Sequence, residues 1–321
     1  MRILLWHVHG SWTTSFVQGG HDYLVPVLPD RGPDGLGRAR SWTWPGSVAE
    51  VTPTQLADEP PDLVVLQRPH ELDLVQRWIG LRAGPDLPAI YLEHNTPVAD
   101  VPLTRHAMAE RTEIPVVHVT HLNALLWDCG TAPSTVIEHG VVDPGLRYTG
   151  ELPRAAVVTN DPVRRMRYVG ADLLPRFTPS TPLDVFGMRV DRLPQALHVD
   201  VDRLRPYEDL DQERMHTEIA RRRAYLHTTR WTSLGLSLIE AMHLGLPVVV
   251  LATTEAARAV PPSAGVLSAD VGELVHGLQA LVTDHDRARA AGLAARAAAL
   301  DRYGLKRFLD DWDRLLEQVA R

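Results

Sequence analysis

The residues best suited to chemistry lie in "TRWTSLGLSLIEAMHLGLPVVVLATTEA", residues 229 to 256. Small and hydroxylated residues precede a predicted helix, and Thr232 or Ser233 is expected to cap its first turn. Gly235 has no side chain that would keep an anion away from the first-turn amides, which carry the positive end of the helix dipole. The stretch from Ser233 through Leu234 to Leu236 therefore suits a diphosphate.

Glu240 lies on the same predicted helix, among apolar neighbours. Two interpretations of its position are open. It is either a solvated surface glutamate or a carboxylate that accepts hydrogen bonds from a ribose lying along the helix.

Polar residues also follow the predicted strands of the N-terminal half. In open parallel sheets, ligands bind beyond the carboxyl ends of the strands. Gly10 follows the first strand and either lets a ligand approach the backbone or forms a plain tight turn. His94 ends a buried strand in "YLEHNTP" and is either structural or faces a substrate. The candidate contacts for an acceptor are His9, Trp12, Gln67, Arg68 and His70.

The composition is that of an ordinary soluble globular protein, with 321 residues, 45% of them hydrophobic and 23% charged. This length allows two domains. The net charge of −7 argues against a general nucleic-acid binder. Cys129 is the only cysteine, so an internal disulfide and a cysteine zinc cluster are excluded.

The location and the phosphate-binding cations are also predicted by composition. No apolar run is long enough to span a bilayer, and a strand-like segment rather than a signal peptide follows Met1, so we expect a cytoplasmic protein. Peripheral contact with a membrane and the oligomeric state stay open. Lys306 is the only lysine, so any cation that binds phosphate is expected to be an arginine.

Short apolar runs alternate with helical patterns along most of the chain, which predicts parallel sheets covered on both faces. The first series of predicted strands is 2–9, 23–28, 62–66, 89–92, 116–119 and 135–137. The second series is 155–159, 183–186, 196–199, 223–226, 248–251 and 265–267. Pro and Gly cluster between the series, at 143–154, where we place the join between two doubly wound domains.

Two further segments have a recognisable pattern. Phe308, Trp312, Leu315, Leu316 and Val319 fall on one face of a C-terminal helix, which must pack against another element. Residues 30–46 are rich in Gly, Pro and Arg and are expected to form a mobile surface loop.

The segment "TSLGLSLIEAMHLGLPVVV" resembles the donor-site segment of retaining glycosyltransferases of the GT-B fold. In that family a Glu, seven residues and a second Glu precede a Gly-Leu-Pro-Val-Val ending. The second Glu falls on Glu240 and implies a ribose contact. The first falls on Thr232, a departure that leaves the donor sugar undetermined. "VQGGHDYLVPVLP" and "STVIEHGVVD", with Gly140, are similar to two further segments of the family.

The resemblance also implies roles for cations and for a histidine. In "VVTNDPVRRMRYVGADLL", Arg164 falls on the family's phosphate-binding Arg and Val169 on its Lys. Arg165 and Arg167 are alternatives for the missing charge, since arginine binds phosphate oxygens bidentately. The alternative is a solvated basic face. The family's histidine near the donor sugar falls on His94.

Two short motifs point elsewhere and are set aside. Asp200-Val201-Asp202 spells the metal motif of the other glycosyltransferase fold, but it lies far from the N-terminal strand to which that motif belongs. Gly35-Leu36-Gly37 is not a dinucleotide fingerprint, because no strand leads into it. No metal ligand and no cofactor other than the nucleotide-sugar substrate is therefore predicted.

Together these features predict an α/β protein with two Rossmann-like doubly wound domains facing a cleft. Residues 1–148 would bind the acceptor, with helix 304–321 packing back on them, and residues 149–303 would bind the nucleotide sugar. The expected reaction is metal-independent transfer of a sugar from UDP or GDP to an acceptor hydroxyl, with retention. His94, Arg164 and Glu240 are the predicted catalytic residues. A non-catalytic relative that binds a nucleotide sugar or a partner enzyme, and a sugar-nucleotide epimerase, are the alternatives.

Overall fold

Short runs of branched apolar residues, such as Leu63–Leu66, are buried at every position and form strands covered on both faces. The computed structural model describes residues 1–39 and 41–321. The chain divides into unit 1, Met1–Val142 with Leu305–Arg321, and unit 2, Asp143–Gly304. The division falls at the start of the segment where the Pro and Gly residues cluster.

Unit 1 contains a parallel sheet in the order β3-β2-β1-β4-β5-β6-β7. Its strands are β1 (Arg2–Leu5), β2 (Asp22–Pro26), β3 (Val48–Val51), β4 (Leu63–Leu66), β5 (Ala89–Glu93), β6 (Val116–His118) and β7 (Ser134–Val136). The helices between them are α1 (Gly10–Phe16), α2 (Pro53–Asp58), α3 (Glu71–Ile79) and α4 (His121–Leu126). A 3-10 turn covers Val101–Leu103.

Unit 2 contains a second parallel sheet, in the order β10-β9-β8-β11-β12-β13. Its strands are β8 (Leu152–Val158), β9 (Leu183–Gly187), β10 (Leu204–Glu208), β11 (Arg222–His227), β12 (Val248–Leu251) and β13 (Gly265–Ser268). Its helices are α5 (Leu193–Leu197), α6 (Gln212–Ala220), α7 (Leu236–Leu244), α8 (Ala256–Ala259), α9 (Val271–Thr283) and α10 (His285–Tyr303). 3-10 turns cover Ala171–Arg176 and Pro262–Ala264.

The α/β class and the doubly wound sheets are confirmed, with three differences in the strands. Residues 196–199 were expected to form a strand, but Leu193–Leu197 is a helix with Pro194 in its first turn, where proline is tolerated. The patterns also missed β3 and β10. Both strands lie at a sheet edge, where half-exposed polar residues and Pro206 interrupt the apolar pattern.

Residues 30–46, expected to form a mobile surface loop, lie at the surface where they are described and also make contacts with the rest of unit 1. Arg38 donates hydrogen bonds to the carbonyl oxygens of Trp44 and Val48. Trp44 is buried, and its indole N–H donates to Thr14 Oγ1 at 2.8 Å. This loop is therefore packed onto unit 1. Arg40, which belongs to the same segment, lies outside the described residues.

The final helix, α11 (Leu305–Val319), belongs to unit 1. Its buried residues are Phe308, Trp312 and Leu316, as the apolar face predicts. The ring centroid of Trp312 lies 5.6 Å from that of Trp12 and 5.0 Å from that of Phe16, and both of these residues are on α1. Among the described helices, none combines the length and the apolar character that a bilayer span requires.

Candidate functional site

Strand order places one ligand-binding position in each sheet. A doubly wound sheet binds ligands at the carboxyl ends of the two strands where the order reverses. In unit 1 these strands are β1 and β4, and in unit 2 they are β8 and β11. Most of the predicted site residues lie just beyond these four strand ends, each group within its own unit.

Beyond β11, helix α7 begins at Leu236 with Gly235 as its N-cap residue. The expectation that Thr232 or Ser233 caps this helix is wrong, since the N-cap position is occupied by Gly235, which has no side chain. Thr232 and Ser233 instead lie in a bend before Leu234. An uncapped helix start leaves backbone N–H groups that an anion can satisfy.

A histidine that no sequence motif indicated lies against this helix start. His227 ends β11, and a Cβ atom built on Gly235 would lie 2.7 Å from Cε1 of its ring. Gly235 is thus required for the approach of His227, as well as leaving the amides open. Burial lowers the pKa of His227 to about 4, so its ring is neutral at pH 7. The available signal was a histidine directly after the apolar run 224–226, at the end of the strand.

Glu240 is buried, with 4% of its surface exposed, so the surface-glutamate interpretation is wrong. Two side chains of α6 face its carboxylate. Gln212 Nε2 donates to Oε1 at 3.3 Å, and His216 Nε2 lies 3.4 Å from Oε2. A buried carboxylate needs such partners, and they hold it in one orientation on α7.

The arginines predicted to bind phosphate lie beyond β8, in a run of turns rather than on a helix. Arg164 is exposed and ion-paired with Asp161, which holds the pKa of that carboxyl below its usual value. Arg167 is exposed and lies 3.4 Å from Asp172. Arg165 is half-buried. The position where the family has Lys cannot supply a charge in this chain, because Val169 packs in the core of unit 2.

Arg230, which no sequence motif indicated, connects the segment before α7 with the turns beyond β8. Its guanidinium pairs with both oxygens of Asp172, at 2.5 and 2.9 Å, and donates to the carbonyl oxygen of Arg167 at 3.0 Å. Its backbone N–H donates to the carbonyl oxygen of Tyr168 at 2.8 Å. The chain before α7 is therefore fastened to the arginine-rich turns. Sequence gives no sign of this pairing, since the ion pair joins residues 58 positions apart.

Asp200 and Asp202 lie in a surface turn of unit 2. The backbone N–H of Asp202 donates to Oδ1 of Asp200 at 2.8 Å, so one carboxylate already stabilises the turn. Across residues 1–39 and 41–321, no group of three or more histidine, cysteine, aspartate or glutamate side chains is arranged to hold a metal ion.

In unit 1 the structure brings together His9, Trp12, Gln67 and His94. The rings of His9 and His94 have centroids 3.9 Å apart, and His94 Nε2 lies 3.1 Å from Gln67 Oε1. Burial lowers the pKa of His9 to about 4 and the pKa of His94 well below its usual value. Both rings are therefore neutral at pH 7, and they offer hydrogen bonds rather than charge.

The other expected acceptor contacts all have partners within unit 1. Trp12 is fully buried among Phe16, Phe308 and Trp312, so it is a core residue. Gln67 is 5% exposed, and its side chain is occupied by neighbours within unit 1.

Arg68 and His70 are engaged with acidic residues. Arg68 Nε donates to Glu71 Oε1 at 2.6 Å, and His70 Nε2 lies 2.9 Å from Asp34 Oδ1. Of the expected acceptor contacts, His9 lies directly against His94.

Gly10 lies at the start of α1, as expected, but a neighbour covers it. A Cβ atom on Gly10 would overlap the ring of Trp42. The small residue thus accommodates the indole of Trp42, which belongs to the 30–46 segment. Sequence separation hides this contact, which connects residues in different elements.

Comparisons with known proteins place this geometry in a fold. No protein-family model matches the sequence, and a search of curated proteins found no match. Solved structures do match. Sucrose-phosphate synthase from Thermosynechococcus elongatus has a TM-score of 0.72 at 14% identity, with 99% of each chain covered. Anabaena HepE, solved with UDP and glucose, has a TM-score of 0.71 at 14% identity, covering 99% of this chain and 100% of its own.

A glycosyltransferase from Rickettsia africae is also similar, with a TM-score of 0.68 at 11% identity over 100% of this chain and 98% of that one. The agreement covers both units and both sheets of the chain. This chain therefore has the GT-B fold of these glycosyltransferases.

Proposed function

We propose that the chain transfers a sugar from a UDP- or GDP-sugar to an acceptor hydroxyl, with retention at the anomeric carbon and without a metal ion. The observation that carries the proposal is helix α7, whose uncapped start and buried Glu240 lie on one element. A solved neighbour with the same fold holds UDP and glucose. The start of α7 suits the diphosphate, and Glu240 suits the ribose.

The residues of unit 2 would act on the leaving group. The first-turn amides of α7 and the guanidinium of Arg164 would stabilise the negative charge that grows on the diphosphate, and fixed dipoles do this without reorganisation. In a retaining transfer the acceptor hydroxyl attacks on the face from which the diphosphate leaves. A phosphate oxygen then takes the hydroxyl proton, so the step needs no enzymic base.

A non-catalytic nucleotide-sugar binder is the second candidate, and specific observations favour it. Val169, at the position of the family's Lys, is in the core, and Thr232 replaces the first Glu of the motif. This arrangement leaves fewer cations for the diphosphate than the resemblance implies. It would reduce the stabilisation of the leaving group while keeping the ribose contact.

The test combines binding and product analysis. UDP or GDP at about 100 times its Kd should stabilise the fold by roughly 2.7 kcal/mol, which a thermal shift detects. UDP- and GDP-sugars should then yield transferred or hydrolysed sugar with unchanged anomeric configuration, in EDTA as in buffer. Binding without turnover supports the second candidate, and an epimerised donor supports an epimerase. Loss of turnover in EDTA, restored by Mg²⁺ or Mn²⁺, contradicts the metal-independent reaction.

A further inference from the structure

We propose that Gln67 is a positioning residue that fixes His94 as its Nε2–H tautomer, so that Nδ1 presents a lone pair to a hydroxyl of an uncharged substrate group. The hydroxyl substrate rests on the proposed function, whereas the tautomer is a property of unit 1 alone. Gln67 and His94 follow β4 and β5, which are neighbours in the sheet.

The orientation of the Gln67 amide follows from the backbone. Its Nε2 lies 2.7 Å from the carbonyl oxygen of Trp6, which can only accept a hydrogen bond. The amide group must therefore face Trp6 with its NH2, and Oε1 faces His94. A carbonyl oxygen also only accepts, so His94 Nε2, at 3.1 Å, must carry the proton. In a neutral imidazole the other nitrogen, Nδ1, is then the acceptor.

Gln67 is held firmly enough to impose this choice. Its backbone N–H donates to Glu71 Oε2 at 2.6 Å, and its carbonyl oxygen accepts from Tyr91 Oη at 3.3 Å. The Glu71 side chain is fully buried and also binds Arg68. Hydrogen bonds thus hold both the main chain and the side chain of Gln67. A flip of its amide group would place Oε1 against the carbonyl oxygen of Trp6, which is unfavourable.

The free nitrogen of His94 is suited to a ligand. Among the described residues Nδ1 has no hydrogen-bond partner, and 7% of the surface of His94 is exposed. The groups that face His94 are His9, Trp12, His139 and Gln67, and none of them is a carboxylate or an arginine. A lone pair in these surroundings accepts a hydroxyl hydrogen and repels a carboxylate or phosphate oxygen.

The tautomer can be tested by nitrogen-15 NMR of the histidine rings in the full chain, with His94 assigned from its loss in His94→Asn. At pH 7 the wild type should show a protonated Nε2 and an unprotonated Nδ1. Gln67→Met should convert this signal into a mixture of tautomers, while Gln76→Met, a change at an exposed glutamine of α3, should leave it intact. An Nδ1–H tautomer or an imidazolium in the wild type would overturn the proposal. So would a His94 signal in Gln67→Met identical to the wild type.

A second variant tests the same contact in case Gln67→Met disturbs the folding of unit 1. Gln67→Glu retains an oxygen acceptor toward His94 but adds charge, so the ring should titrate at a higher pH than in the wild type. No change in that titration would overturn the contact.

Kinetics then test the hydroxyl acceptor. With UDP-glucose as the probe donor, Gln67→Met should lower kcat/KM about tenfold, the loss of one hydrogen bond, while UDP affinity stays unchanged. An equal loss of UDP affinity would contradict a local role. If no nucleotide sugar is turned over by the wild type, the proposed function fails, and the NMR result still decides the tautomer.

Discussion

Glu240 and Arg164, the two residues proposed to bind the nucleotide, differ in burial and in how firmly their partners hold them. The carboxylate is buried and fixed by two side chains of α6, whereas the guanidinium is exposed and pairs with Asp161 only three residues away. A fixed carboxylate can recognise two neighbouring hydroxyls. An exposed arginine can leave its partner for a phosphate at little cost, because solvent screens an ion pair at the surface.

Replacement of Glu240 tests the ribose contact. Glu240→Gln keeps the shape and removes the charge, so affinity for UDP or GDP should fall by about 1–3 kcal/mol, the range for hydrogen bonds to a charged group. The 2′-deoxy form of the same nucleotide should lose much less. Isothermal titration measures both, with Glu317→Gln on the exposed face of α11 as the control. Equal losses for both ribose forms would remove Glu240 from the site.

Replacement of Arg164 tests the phosphate contact. Arg164→Ala should weaken binding of the nucleoside diphosphate more than binding of the nucleoside, by about 1.5–3 kcal/mol for a charged hydrogen bond. Arg192→Ala removes another exposed arginine of unit 2 and should change neither. Calorimetry that shows the same loss for both ligands would assign the role to Arg165 or Arg167 instead.

At the scale of elements, α7 is placed by its neighbours on two sides. The ring of His227, at the end of β11, lies against its first residue, and α6 holds its carboxylate. The close approach of His227 requires glycine at position 235, and the orientation of Glu240 requires Gln212 and His216. Each contact can be altered without touching the nucleotide.

The contact between β11 and α7 is tested by a pair of changes. Gly235→Ala should push against His227, shift the helix start and weaken nucleotide binding several-fold. His227→Ala in the same chain removes the obstructing ring and should restore most of the affinity. Thermal unfolding of all variants separates a shifted helix from a destabilised unit. If the double variant binds no better than Gly235→Ala, the obstruction lies elsewhere, for example at the diphosphate itself.

The contact between α6 and α7 is tested at His216. His216→Leu removes one partner of the buried carboxylate and should weaken nucleotide binding by about 1 kcal/mol, a typical hydrogen bond. His216→Gln keeps a donor and should lose less. Combined with Glu240→Gln, the His216→Leu effect should nearly vanish, as a double-mutant cycle requires for coupled residues. Additive losses would show that His216 acts independently of Glu240.

At the scale of the whole molecule, the histidines set the response to pH. Burial lowers the pKa values of several histidines in each unit. In unit 1 these are His7, His9, His94, His118 and His139, and in unit 2 they are His227 and His243. Burial lowers the pKa of His139 to about 3. Unit 1 therefore carries more buried neutral histidine than unit 2.

The lowered pKa values of these histidines predict that acid destabilises the protein. In the unfolded chain each of these rings binds a proton near pH 6.5, but in the native state it does so only at a lower pH. The contribution of each neutral ring to the free energy of unfolding is therefore complete above pH 6.5. As the pH falls from 6.5 toward 4, each of these histidines lowers the free energy of unfolding by up to about 1.4 kcal/mol per pH unit. Calorimetric scans should show the free energy of unfolding decreasing over this range. His139→Leu should reduce the slope, and the exposed His121→Gln should not. A slope unchanged in His139→Leu would contradict the assignment.

The sequence by itself predicted the two parallel α/β domains, because buried strands are continuous apolar runs, and it predicted helix α7 with Glu240 on it. It did not predict β3 and β10, whose edge positions leave them half polar. Capping by Thr232 or Ser233 was the natural expectation from residue type, but the bend before Leu236 leaves Gly235 as the cap.

Only the tertiary structure decided which polar side chains are free for a ligand. Trp12 and Gln67 look like loop residues in sequence, yet α11 buries the first, and a backbone carbonyl and His94 occupy the second. Trp42 covers Gly10 and His227 lies against Gly235, across separations of about 30 and 8 residues that no local pattern records. Residue type fixes which hydrogen bonds a side chain can make, but packing of distant segments determines which of them are already made.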